Sequence, residues 1–124
     1  MARLKVLLTD YAWNDVDVES QLLSEIDAEL VVAEDQDAAE LARLAKDVDG
    51  ILTCWARVSA EVIDAAAKCR VISRLGVGLD NIDVNAATLR RIVVTNVPDY
   101  CVTEVAEHTL ALILALGRNI AFYH

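Results

Sequence analysis

Two hydrophobic rhythms alternate along the chain. Short apolar runs at residues 4–9, 29–33, 50–54, 71–73 and 92–95 have the length and composition of buried strands. Between them the apolar positions fall at helical spacing. Val18, Leu22, Leu23 and Ile26 recur among Glu19, Ser20, Glu25 and Asp27, which predicts an amphipathic helix. Residues 37–48 place Ala38, Leu41, Ala42 and Ala45 on one helical face. Ser59 is placed to cap a helix over residues 60–68, with Glu61 favourable against its dipole. Further helices are predicted at 84–90 and, after the turn around Pro98, at 103–120.

Strands that are apolar throughout and alternate with helices predict a parallel sheet covered on both faces. Five such units in this length fit an α/β fold, a flavodoxin-like doubly wound five-stranded sheet. Ligands of such sheets bind beyond the carboxyl ends of the strands. The last helix breaks the pattern, because Leu110, Ala111, Leu112, Ile113, Leu114, Ala115 and Leu116 leave it no polar face. Such a helix is buried on more than one side, so a second domain or another chain is expected to cover it.

Composition narrows the picture. The chain has 124 residues, enough for one domain with a single core. It is 56% hydrophobic and 25% charged, which excludes intrinsic disorder. The apolar run at 110–117 is too short for a membrane span, and the amino terminus has no signal-peptide pattern. Cys54, Cys69 and Cys101 form no Cys-x-x-Cys pair, which speaks against a disulfide framework or zinc site and for a reducing cytoplasm. The formal charge of −9 lies entirely in residues 1–50, where 13 acids face 4 bases. With no basic cluster, nucleic-acid binding is excluded, and a small anion is expected to bind through the second half.

The stretch Arg74-Leu75-Gly76-Val77-Gly78-Leu79-Asp80-Asn81-Ile82-Asp83 follows a strand and precedes a helix, which places it at the ligand-binding edge. It fails as a dinucleotide fingerprint, since Asn81 stands where the third glycine belongs. Two glycines permit close backbone approach, so the N–H groups of Val77 and Gly78 can receive an anion such as a carboxylate. A turn needing two flexible positions explains the same glycines. Trp55 either walls an apolar pocket at this edge or packs in the core, and Arg57 either pairs with a substrate carboxylate or lies on the surface. His108, between Glu104 and Glu107, has no nucleophile or second metal-spaced histidine nearby and reads as structural. No residue set is predicted to hold a metal. A phosphotransfer receiver domain is excluded, because Asp10 stands alone, the third strand ends in Thr53-Cys54-Trp55, and Thr95-Asn96 ends the fifth.

Three blocks in order carry a resemblance: the Arg74 to Asp83 stretch, Ala86-Ala87-Thr88, and Asn96-Val97-Pro98-Asp99-Tyr100-Cys101-Val102-Thr103-Glu104-Val105-Ala106-Glu107-His108. Together they resemble the D-isomer-specific 2-hydroxyacid dehydrogenases, and within them the bacterial branch related to the C-terminal-binding-protein corepressors. The resemblance is strong over residues 50–120. It implies a substrate domain over residues 1–102 and, over 103–124, a helix leading to an NAD-carrying Rossmann domain that lies outside this sequence. It implies hydride transfer between NAD(H) and a small 2-keto or 2-hydroxy acid, and a homodimer through the last helix.

By the same resemblance, Trp55, Ala56, Gly76, Val77 and Gly78 bind substrate, the backbone of Val77 and Gly78 holding its carboxylate. Val77 and Thr103 approach the cofactor. The catalytic Arg, Glu and His are expected downstream, so His108 is not catalytic and the fragment alone is expected to be inactive. An NAD-responsive, corepressor-like interaction module is the alternative, and a stand-alone module dimerising through the last helix is a third. Where this family usually has glycine in a left-handed turn, the chain has Arg91, at an expected penalty of about 1 kcal/mol.

Overall fold

The computed structural model describes residues 3–123, so His124 lies outside the described residues. Five parallel strands form one sheet: β1 (Leu4–Leu8), β2 (Ala28–Val32), β3 (Gly50–Thr53), β4 (Val71–Arg74) and β5 (Val93–Thr95). Their order is β2-β1-β3-β4-β5. The helices are α1 (Asp17–Ser24), α2 (Ala38–Ala45), α3 (Ala60–Ala65), α4 (Val84–Leu89), α5 (Val102–Gly117) and α6 (Ile120–Tyr123). The expected flavodoxin-like α/β sheet is therefore present, and its order reverses between β1 and β3, the switch point beside which ligands of such sheets bind.

Register explains where the core lies. Leu7 stands beside Ile51, Ile51 beside Ile72 and Ile72 beside Val94, so one face carries an unbroken apolar row. Against that row pack Leu41, Ala42 and Ala45 of α2, Val62 and Ile63 of α3, and Ala87 of α4. Leu7, Leu41, Ile51, Ile63 and Ile72 are fully buried. Asp37 caps α2 by accepting from Ala39 N–H at 3.1 Å, and Asp83 caps α4 by accepting from Ala86 N–H at 2.9 Å.

The second face departs from the expectation of a sheet covered on both sides. Among the described residues only α1 lies there, at the β2 edge. Leu4, Val71 and Val93 are left exposed, and so are Val18, Leu22 and Ile26 on the helix read as amphipathic. The period of α1 is right, but a single helix of eight residues cannot screen a five-stranded face. Ser59 precedes α3 as expected yet does not cap it. Its hydroxyl is buried without a partner while its carbonyl accepts from Ile63 N–H at 3.0 Å, and α3 ends at Ala65, short of 68. The last helix starts at Val102 and stops at Gly117, where Asn119 (φ 52°) turns the chain into α6.

Candidate functional site

The site begins at a carboxylate that the sequence left standing alone. Asp10 follows β1 and is 5% exposed. It accepts from the N–H groups of Cys54 at 2.9 Å and Trp55 at 2.7 Å, and from the Thr9 hydroxyl at 2.8 Å. Burial alone raises its pKa, but these donors stabilise the anion more strongly and hold it below the ordinary carboxylate range. Asp10 thus fixes the loop after β3 to the end of β1.

A second residue ties that loop to the glycine turn. Asn81 donates from Nδ2 to the Ala56 carbonyl at 2.9 Å and accepts from Arg74 Nε at 3.1 Å. The backbone completes the link, with Val58 N–H on the Asn81 carbonyl at 2.8 Å and Asp83 N–H on the Val58 carbonyl at 3.0 Å. From the β5 side, Val97 N–H reaches the Gly76 carbonyl at 3.0 Å and Asn96 Nδ2 the Val77 carbonyl at 2.8 Å.

These ties shape a cavity of about 370 Å³ at the carboxyl ends of the strands, walled by Trp13, Trp55, Leu75, Val77 and Tyr100 with Arg74 in its lining. The expected Trp55, Gly76 and Val77 come together here. Ala56 is buried behind the wall, where its carbonyl accepts from Asn81 and from the Thr53 hydroxyl at 3.0 Å. Gly78 lies beside the cavity and Thr103 in the first turn of α5, both exposed and neither in the wall.

The glycines serve close approach rather than a left-handed turn, since neither has a positive φ. A Cβ on Gly76 would sit 2.4 Å from Arg74 Nη1, and one on Gly78 would sit 2.8 Å from Asp80 Oδ1. Gly76 therefore makes room for the guanidinium. Among the described residues, the N–H groups of Val77 and Gly78 donate to no protein acceptor, which leaves two donors for an anion beside Arg74.

Other candidates fall away from the cavity. Arg57 is exposed and lines a separate depression with Asp80 and Asp83, in keeping with the reading of it as a surface residue. His108 is exposed on α5 rather than packed in a core. Burial and the charge of Asp10 push the Cys54 thiol up, which makes it a poor nucleophile. Neither a histidine nor a carboxylic acid is among the residues that line the cavity. Arg74, Asp10 and Asn81 were missed as site residues in the sequence. Arg74 and Asn81 flank the glycines, and that adjacency was the one signal available.

The chain matches the model of the D-isomer-specific 2-hydroxyacid dehydrogenase catalytic domain over residues 6–122. It is 42% identical over 118 residues to a D-3-phosphoglycerate dehydrogenase of Methanocaldococcus jannaschii, covering 94% of this chain and 22% of that protein. It is 43% identical over 76 residues to a glyoxylate reductase of Pyrococcus furiosus, covering 60% and 23% of the two chains. Its fold superposes with TM-score 0.80 on an NAD+-bound 3-phosphoglycerate dehydrogenase of Entamoeba histolytica, at 26% identity over 92% of this chain and 39% of that one. The chain thus spans about a quarter of the length of the curated relatives it matches. A strand order that reverses at the switch point, a glycine turn with unused donors, and a family match across nearly the whole sequence agree: the chain belongs to the D-isomer-specific 2-hydroxyacid dehydrogenase family, as its catalytic domain.

Proposed function

We propose that this chain forms the substrate-holding part of an oxidoreductase that moves hydride between a nicotinamide cofactor and C2 of a 2-keto or 2-hydroxy acid. The observation that carries this reading is the pairing of a guanidinium and backbone N–H groups without acceptors with an apolar wall. Arg74 and the N–H groups of Val77 and Gly78 provide the donors, and Trp55 with its neighbours provides the wall. A carboxylate seated on these donors would direct its C2 toward the open side of the cavity.

Val77 is 43% exposed at the rim and Thr103 is exposed in the first turn of α5, so both surfaces can meet a nicotinamide. NAD would supply the hydride acceptor; this chain contributes substrate binding and a dry wall. Residues 1–102 act as the substrate domain and residues 103–124 as the helix toward a cofactor domain. The exposed side chains of Leu110, Leu112, Ile113, Leu114 and Leu116 support that division and a homodimer through α5. Three free thiols fit a reducing compartment. A corepressor-like module would need a peptide groove, whereas a cavity of about 370 Å³ has the size of a small molecule.

Trp13 and Trp55, the two tryptophans of the chain, both border the cavity, so intrinsic fluorescence reports its occupancy. Pyruvate and D-lactate should perturb it saturably and neutral acetamide should not. Arg74→Met should weaken pyruvate about tenfold by removing the charged donor. The chain mixed with NAD and D-lactate should yield no NADH. Absence of saturable binding by either acid would overturn the substrate role, and turnover by the chain alone would overturn the division of labour.

A further inference from the structure

The chain has six aromatic residues, and none of them is in its core. The core is built from Leu, Ile, Val and Ala instead. Trp13, Trp55 and Tyr100 stand at the cavity, and Tyr11 backs Trp13 with ring centroids 5.9 Å apart at 50°. Trp55 remains 60% exposed and Tyr100 58%. Rigid aromatic faces left in water at a cavity mouth gain most from an apolar group laid against them.

Charge limits the other end of the ligand. Arg74 is the sole cationic side chain in the lining, and its Nε is already held by Asn81. One carboxylate would occupy what remains of it together with the N–H groups of Val77 and Gly78. Among this chain's own residues, a second anionic group would find no further cationic side chain in the lining. It would also meet the acidic half of the molecule: Asp10, Glu34 and Asp35 line the neighbouring depression at the same strand edge. Like-charge opposition of this kind discriminates by rejection rather than by added contacts.

The geometry points to a monoanionic substrate, a 2-keto or 2-hydroxy acid bearing a bulky apolar or aromatic substituent, rather than a phosphorylated acid or glyoxylate. This rests on the reading of the chain as a substrate domain and names the substrate class for that same site. Phosphoglycerate dehydrogenases share its fold and family, but the wall of this cavity is made for a hydrophobic side chain.

Two matched pairs test it by fluorescence titration of this chain: D-phenyllactate against D-3-phosphoglycerate, and α-ketoisocaproate against glyoxylate. The apolar member of each pair should bind at least about tenfold more tightly, the discrimination expected of a pocket that buries a few extra carbons. Trp55→Ala, read through Trp13, should bring both ratios to about twofold or less, since the wall that supplies the burial is gone. Trp55 is largely exposed, so its removal leaves the core intact. Equal or tighter binding of D-3-phosphoglycerate or glyoxylate overturns the inference and leaves the substrate-domain reading standing. Ratios unchanged in Trp55→Ala overturn it as well. Silence from all four acids overturns both.

Discussion

Asp10 shows how one buried charge can organise a site without touching a ligand. Two backbone N–H groups from the loop that carries Trp55 converge on it, together with the hydroxyl of the neighbouring Thr9. Asp10→Asn keeps the shape but turns an amide NH2 toward these donors. It should destabilise the fold by about 2 kcal/mol at neutral pH, measured by urea unfolding. Because its folded pKa lies below its unfolded value of 3.8, the carboxylate stabilises the fold above that pH. That contribution disappears as the pH falls through the folded value, and Asp10→Asn should flatten the acid limb of the stability profile. Arg91 is a second residue whose effect is local. It sits at φ 58° just after α4, the left-handed position the family resemblance predicted for glycine. Arg91→Gly should raise stability by about 1 kcal/mol, partly offset by unfolded-state entropy, and raise the melting temperature by roughly 4 °C.

Among the elements, α5 was the most legible and α1 the least. The run at 110–116 announced an apolar helix, and the structure leaves it standing away from the sheet with Leu114 65% and Leu116 77% exposed. A 16-residue helix with that surface should associate with its own copy. Size-exclusion chromatography with light scattering should therefore show a dimer whose population rises with concentration. The double substitution Ile113→Glu and Leu116→Glu should leave a monomer of unchanged helicity. A wild-type chain that stays monomeric throughout would remove the homodimer proposal. For α1 the apolar period was read correctly, yet Val18, Leu22 and Ile26 face solvent, because periodicity reports which residues share a face and not what lies opposite it.

At the scale of the molecule, the sheet divides the labour. One face is closed by α2, α3 and α4 and supplies the core, while the other is screened by α1 at one edge alone. The loops at the carboxyl ends of β1, β3 and β4 meet at the switch point, and the hydrogen bonds of Asp10 and Asn81 lock them together. Charge follows the same geography. The acidic first half contributes the neighbouring depression with Glu34 and Asp35, and the second half contributes Arg74 and the glycine turn.

The sequence by itself determined the strands and helices, the parallel sheet, the position of the glycine turn and the family, because these depend on local spacing and on motifs read in order. It also singled out Trp55, Gly76 and Val77, which the structure brings to one cavity. Only the tertiary structure decided that Asp10, 44 residues from Cys54, anchors the loop after β3, that Asn81 joins Ala56 to Arg74, and that Arg57 lines a separate depression. It alone showed Trp13, Trp55 and Tyr100 gathered at the cavity rather than in the core. These facts depend on which strand ends become adjacent when the chain order reverses, and that is a contact between distant segments which no local period encodes.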